Sequence, residues 1–315
     1  MKGLDFERPI LELEKKIEEL KRFTSDKKID LSSEIKRLEE KLDKLRKETY
    51  QGLSPWQRVL IARHPNRPYT LDYVSMIMTD FLEIHGDRAF ADDKALIAGL
   101  AKIDGIKIMV MGQQKGRGTQ DNIFRNFGCA HPEGYRKALR LMYLAQKAGL
   151  PILCLIDTPG AYPGIGAEER GQAQAIATNL KEMANITVPI FCVVIGEGGS
   201  GGALGIGIGD RVAILENAYY SVISPEGCAA ILWKDSLRAP DAAAALHLTA
   251  KELLEMGMVE EIIPEPLGGA HRDPQRMSLT LKESILRNLK ELEEPPVAKR
   301  LKLRYEKFRK IGAFA

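Results

Sequence analysis

The apolar run Ile190-Phe191-Cys192-Val193-Val194-Ile195 passes without alternation into Gly196-Glu197-Gly198-Gly199-Ser200-Gly201-Gly202. Six consecutive apolar residues suit a strand buried on both faces, as in parallel sheets, and the glycines predict a tight turn into Ala203-Leu204-Gly205-Ile206. Glycine permits positive φ and lets a ligand reach bare backbone N–H groups. A strand that enters such a turn at a helix start is a candidate anion or oxyanion site.

Several readings of this stretch compete. Gly196, Gly198 and Gly201 satisfy G-x-G-x-x-G, with Glu216 where a ribose acid would fall. Against dinucleotide binding, Gly202 to Gly209 is short and carries four glycines, a poor helix for a βαβ crossover. Gly198-Gly199-Ser200-Gly201-Gly202 also fits G-x-S-x-G, a nucleophile elbow, with Asp235 or Asp241 and then His247 or His271 in the hydrolase order. In a third reading paired N–H groups form an oxyanion hole and Ser200 is merely small. In the blandest, the turn only lets strand and helix pack closely.

The surrounding chain bounds these choices. Its 315 residues, 44% hydrophobic, suffice for a sizeable core in one large or two modest domains. A net charge of +3 from 46 basic and 43 acidic residues gives no global pull toward nucleic acid or membrane. No apolar run has membrane-span length and Met1 to Ile10 carries no signal-peptide core, so a cytoplasmic location is expected. Cys129, Cys154, Cys192 and Cys228 never form C-x-x-C, so no metal site is expected, and three of them read as small core residues.

Residues Pro9 to Tyr50 predict a charged helical hairpin: Ile10, Leu13, Ile17 and Leu20 keep one heptad step, Leu31, Ile35, Leu38, Leu42 and Leu45 another, with a connector at Thr24 to Asp30. Two or three heptads cannot stand alone, so the hairpin should dock on a partner or on the rest of the chain. Leu53 to Asp93 reads as helices and loops, with His64 and His85 structural or surface residues rather than metal ligands. Ala95 to Leu100 and Ile106 to Met111 predict a hairpin across Asp104-Gly105. The polar loop Gln113 to Gly128 offers Lys115, Arg117 and Arg125 to an anion or to a partner surface.

A helix over Pro132 to Ala148, closed by Gly149, leads to a buried strand at Pro151 to Ile156 that ends in Asp157-Thr158-Pro159-Gly160. No G-x-x-x-x-G-K-[ST] precedes that tetrapeptide, so a P-loop is excluded. A helix over Glu168 to Ala184 returns to Ile190, which places the Asp157 loop and the Gly196 loop at one sheet edge. Further on, the sequence predicts strands at Tyr219 to Ile223 and Val259 to Ile263, a helix capped by Ser224, helices at Ala239 to Leu246 and Thr249 to Met256, and terminal helices at Pro274 to Leu292 and Pro296 to Ile311. The last is basic, with an apolar stripe of Leu301, Tyr305 and Phe308 that suits docking on the chain or on a partner.

The loops Ile156 to Gly164, Gly196 to Gly202, Ser221 to Cys228 and Ile263 to His271, with Arg63-His64-Pro65 and Pro132 to Ala138, closely resemble the alpha-subunit family of bacterial acetyl-CoA carboxylase carboxyltransferases, over nearly the whole chain. The resemblance implies a crotonase-like α/β fold, divided as an N-terminal helical hairpin (1–52), a carboxyltransferase domain (53–273) and C-terminal helices (274–315). It implies transfer of the carboxyl group of carboxybiotin, carried on a separate biotin carboxyl carrier protein, to acetyl-CoA, giving malonyl-CoA for fatty acid synthesis. A zinc-ribbon beta subunit would bind acetyl-CoA in an alpha2beta2 heterotetramer, and a separate biotin carboxylase would use the ATP. Gly201 and Gly202 match the family positions whose N–H groups polarise the biotin ureido oxygen, and Gly198, Gly199, Gly160 and Gly164 would shape the carboxybiotin site. No metal is implied in this chain. The rivals are a stand-alone crotonase-fold hydrolase or hydratase using Ser200 or Glu197, and a scaffold that binds partners or RNA through its charged terminal helices.

Overall fold

The structure is a computed structural model that describes residues 4–27 and 31–312. Residues 1–3, 28–30 and 313–315 lie outside the described residues, and the described part of the expected Thr24 to Asp30 connector continues the first helix to Lys27. Among the described residues eight strands form one mixed sheet: β1 (Thr79–Glu83), β2 (Leu96–Ile103), β3 (Ile106–Gln113), β4 (Ile152–Thr158), β5 (Ile190–Gly199), β6 (Arg211–Leu215), β7 (Tyr219–Ser221) and β8 (Glu261–Ile263). Their spatial order is β1-β2-β3-β4-β5-β6-β8, with β7 also paired to β5.

The first two pairings are antiparallel and the others parallel. Ile103 pairs with Ile106 across Asp104 and Gly105, whose φ values of +46° and +83° give the two-residue turn that matches strand twist. β4 and β5 are buried at every position, with helices Pro132–Ala148 and Gln172–Met183 packed together above the central strands and helix Pro274–Glu293 contributing Met277, Leu281, Ile285 and Leu289 to the same core. Their unbroken apolar runs follow from cover on both faces.

Local signals failed in four places. β1 occupies part of a stretch read as helices and loops; its residues are mostly exposed and polar, so it takes its form from pairing with β2. The expected loop Gln113 to Gly128 contains the helix Thr119–Phe124. The expected helix Glu168 to Ala184 is two helices, Ile165–Glu169 and Gln172–Met183, broken at Gly171 with φ +81°. β5 runs on to Gly199, so four residues read as turn are strand, held by β7 against Glu197 to Gly199 and by Thr158 against Gly198. Of the four cysteines, only Cys154 and Cys192 are fully buried.

The C-terminal helix Val297–Arg309 docks on the chain, through buried arginines as well as through Phe308. Arg304 is fully buried, donating at 2.6 and 2.8 Å to the carbonyls of Met183 and Ile186 and at 2.8 and 2.7 Å to Asp210. Arg300 reaches the carbonyls of Leu292 and Thr187, and Lys307 that of Gly209. Of the expected apolar stripe, Phe308 packs against the core and Leu301 is half-buried, while Tyr305 is exposed. These three cations serve as donors to helix-end and loop carbonyls that would otherwise lack partners, whereas Lys299, Lys302, Arg309 and Lys310 stay exposed.

The N-terminal hairpin, helices Arg8–Lys27 and Ser32–Gln51, closes over Ile10, Ile17 and Leu42. Tyr50 donates to Glu7 at 2.6 Å, and Arg272 reaches Glu7 and Glu14, so the hairpin is tied to the loop after β8. In that loop His271 stacks on His64 at 3.8 Å between ring centroids. Burial first, then the neighbouring imidazole, lowers the His271 pKa to about 4, and burial lowers that of His64. A histidine depressed in the fold stabilises it fully above its unfolded pKa of about 6.5 and loses that contribution as pH falls toward the folded value. Urea midpoints should therefore fall between about pH 6.5 and 4 more steeply in the native chain than in His271→Gln. Equal slopes would remove the stack as a cause of acid lability.

Candidate functional site

β4 and β5 end side by side, which brings the Pro159 loop and the glycine turn together at one sheet edge, as the sequence predicts. The approach is too close for side chains. A Cβ on Gly199 would collide with the Pro159 carbonyl, and one on Gly202 with the Gly160 carbonyl group, 2.6 Å from the Ala161 nitrogen. Ser200 bends the chain with φ +50° and opens the helix Ser200–Leu204. Gly201 and Gly202 lie in its first turn, where N–H groups lack intrahelical acceptors.

The two glycines differ in surroundings. Gly202 is buried, whereas Gly201 borders a cleft of about 590 Å³ lined by Leu204, Ile208, Tyr220, Met258 and Phe308. A Cβ on Gly201 would meet nothing nearer than Ile176 at 3.6 Å. Gly160 touches the turn through Gly202, while Gly164 caps the helix Ile165–Glu169 and packs against the Tyr162 ring.

Beside the turn lies a buried charged network that sequence reading recognised only in part. Lys115 donates at 2.7 Å both to Asp157 and to Glu197. Glu197 also accepts from Arg63 at 2.7 Å and from Tyr219 at 2.6 Å, and Arg63 bridges on to Glu226. Burial works to raise the pKa of Glu197, but Lys115 and Arg63 outweigh it and hold it down at about 2. Burial raises that of Asp157 despite the same lysine. Lys115 is thus spent within the network and Arg125 donates to the Lys94 carbonyl, whereas Arg117, paired with Asp72 at 2.5 Å, stays exposed at the mouth of a cleft that Arg63 and Lys115 also line.

This arrangement bears on the rival readings. A hydratase acid or base needs a carboxylate free to reach substrate, whereas Glu197 is held by Lys115, Arg63 and Tyr219. For the hydrolase, Asp235 accepts from Leu237 N, Asp241 pairs with Arg238, His247 pairs with Glu252 at 3.0 Å and His271 stacks on His64. Ser200 and His247 border the same cleft, yet among the described residues no hydrogen bond joins them, so the nucleophile–base contact is missing. For dinucleotide binding, Gly196 and Gly198 are strand residues, the following helix has only five residues, and Glu216 accepts from Glu265 N. No group of three or more metal-ligating side chains stands together among the described residues, and no described helix is long and apolar enough to cross a membrane.

Residues 3–312 match the family model described as acetyl co-enzyme A carboxylase carboxyltransferase-like. The acetyl-coenzyme A carboxylase carboxyl transferase subunit alpha of Methylococcus capsulatus is 57% identical over 314 residues, covering 100% of this chain and 98% of the relative. That of Thermus thermophilus is 56% identical over 312 residues, covering 99% of each. Among solved structures, transcarboxylase 12S superposes with a TM-score of 0.54 at 20% identity over 69% of this chain and 42% of its own. A Pseudomonas malonate decarboxylase hetero-tetramer chain gives 0.56 at 17% over 69% of this chain and 89% of its own. These structures share the crotonase-like fold. By the match of its whole length, the chain belongs to the acetyl co-enzyme A carboxylase carboxyltransferase-like family.

Proposed function

We propose that the chain is the alpha subunit of an acetyl-CoA carboxylase carboxyltransferase. With a beta subunit it transfers the carboxyl group of carboxybiotin, held on a biotin carboxyl carrier protein, to acetyl-CoA, giving malonyl-CoA. The observation that carries this reading is full-length identity of 57% to a relative of that name. Its first-turn glycines beside an apolar cleft support it further.

Carboxybiotin supplies a carboxyl group on a ureido nitrogen, which leaves more readily when the ureido oxygen accepts hydrogen bonds. The N–H groups of Gly201 and Gly202 are the donors assigned to that oxygen. The absence of a Cβ at Gly201 leaves room above the turn, and the apolar cleft suits an uncharged fused ring while keeping water away. Gly198, Gly199 and Gly160 set the backbone floor on which the turn rests. No side-chain base is asked of this chain, because Glu197 is locked in ion pairs. Acetyl-CoA binding belongs to a zinc-ribbon beta subunit, and ATP chemistry to a separate biotin carboxylase.

The purified chain alone should be inactive and should gain carboxyl transfer only when mixed with its beta subunit, as an alpha2beta2 complex by light scattering. Carboxylation of acetyl-CoA by the chain alone would refute the reading.

A further inference from the structure

β5 carries an irregularity just before the glycine turn. Along the β4–β5 ladder Ile156 pairs with Val194, but the next pair is Thr158 with Gly198. β5 therefore holds two more residues than β4 over this interval, a bulge at Ile195-Gly196-Glu197. Its backbone groups cannot use the ladder and take side-chain partners instead. The Ile195 carbonyl accepts from Arg67 Nε at 2.8 Å, and Glu197 N donates to Asp157 Oδ1 at 2.9 Å. A Cβ on Gly196 would lie 2.5 Å from that same oxygen.

One side chain links this bulged edge directly to the turn. Gln113, at the end of β3 and fully buried, accepts from Asp157 N through Oε1 at 3.1 Å and donates from Nε2 to the Gly202 carbonyl at 3.1 Å. The Tyr135 hydroxyl also reaches that carbonyl, at a long 3.5 Å. A fully buried amide that spans two strands to hold one glycine carbonyl fixes the orientation of the peptide planes around it.

We infer that Gln113 is a positioning residue for the glycine turn, acting through the Gly202 carbonyl, whose peptide plane adjoins the one that carries the Gly202 N–H, and through Asp157, which braces the bulge. Resting on the carboxyltransferase reading, the inference makes the aim of the Gly201 and Gly202 N–H groups depend on a side chain that touches neither substrate nor cofactor. Small displacements of such donors are costly, since a misplacement of about 1 Å lowers turnover on the order of a hundredfold.

The test uses the assembled alpha–beta complex with two variants. Gln113→Met removes both hydrogen bonds at near-constant shape and should lower kcat about ten- to a hundredfold, with KM changed by less than about twofold, as expected for loss of transition-state binding. Gln113→Glu keeps the acceptor for Asp157 N, but its ionised form cannot donate to the Gly202 carbonyl. Burial favours the neutral acid, whose O–H can donate, so its activity relative to the native complex should recover as pH is lowered. A purely structural role would give no such recovery. Native-like kcat in a folded Gln113→Met complex, or a Gln113→Glu complex impaired equally at every pH, overturns the inference. If Gln113→Met does not assemble, the pH profile of Gln113→Glu decides. A native complex without carboxyl transfer would instead refute the functional reading. The brace would then be judged by amide hydrogen exchange at Gly201 and Gly202 in the chain alone, faster in Gln113→Met if it holds and unchanged if it does not.

Discussion

Gly201→Val should reduce carboxyl transfer by the assembled enzyme on the order of a hundred- to a thousandfold, equivalent to about 2.7–4 kcal/mol for one lost oxyanion donor. The valine side chain would enter the cleft that Gly201 borders, over the donors, while meeting only Ile176 at 3.6 Å. Its effect on the melting temperature should be small, because valine is an adequate residue in a helical turn compared with glycine. Gly202→Val is a poorer test: its side chain would strike the backbone of Gly160 and Ala161, so folding and catalysis fail together. Ser200→Ala is the informative companion. The Ser200 hydroxyl has no histidine on it, so this variant should keep near-native kcat, whereas a nucleophile elbow would lose nearly everything. An active Gly201→Val beside an inactive Ser200→Ala would end the oxyanion reading.

The largest effect on stability is expected at Arg67. Its guanidinium and the Glu265 carboxylate are both wholly inaccessible, paired at 2.9 and 2.5 Å, and Arg67 also holds the Ile195 carbonyl of the bulge. Glu265 in turn accepts from the backbone nitrogens of Asn217 and Ala270. Arg67→Met strands a buried carboxylate and should cost about 3–5 kcal/mol of folding free energy. For a chain of this size that is a fall in Tm on the order of 10 °C by calorimetry. The double variant Arg67→Met, Glu265→Leu should recover part of the loss, since removing both charges removes the desolvation cost as well. A single variant melting with the native protein would show the pair to be energetically idle.

Where sequence and structure agree, the determining interactions are local. Asp104-Gly105 can adopt the positive φ of a hairpin turn, Gly149 closes its helix with φ +68°, and Ser224 accepts from Gly227 N as a cap. The paired loops after β4 and β5 were likewise legible, because a strand–helix–strand pattern obliges parallel neighbours to share an edge. The two terminal arms show the boundary. Heptad spacing predicts the hairpin core of Ile10, Ile17 and Leu42, yet of the similar stripe Leu301, Tyr305 and Phe308 on the last helix Phe308 packs against the core while Tyr305 stays exposed. There the docking groups include Arg304, whose partners, the carbonyls of Met183 and Ile186, lie more than a hundred residues away.

By itself, then, the sequence determined the strand, the glycine turn and the family, because each is encoded in contiguous residue types. Only the tertiary structure decided that Gly196 to Gly199 are strand, that Lys115 is spent on Asp157 and Glu197, and that Gln113 ties β3 to the Gly202 carbonyl. Glycine has little intrinsic strand preference and a lysine or glutamine carries no local signal of its partner. Their roles arise where chain segments tens of residues apart meet in a buried space, and unpaired polar groups there would cost too much to leave unsatisfied.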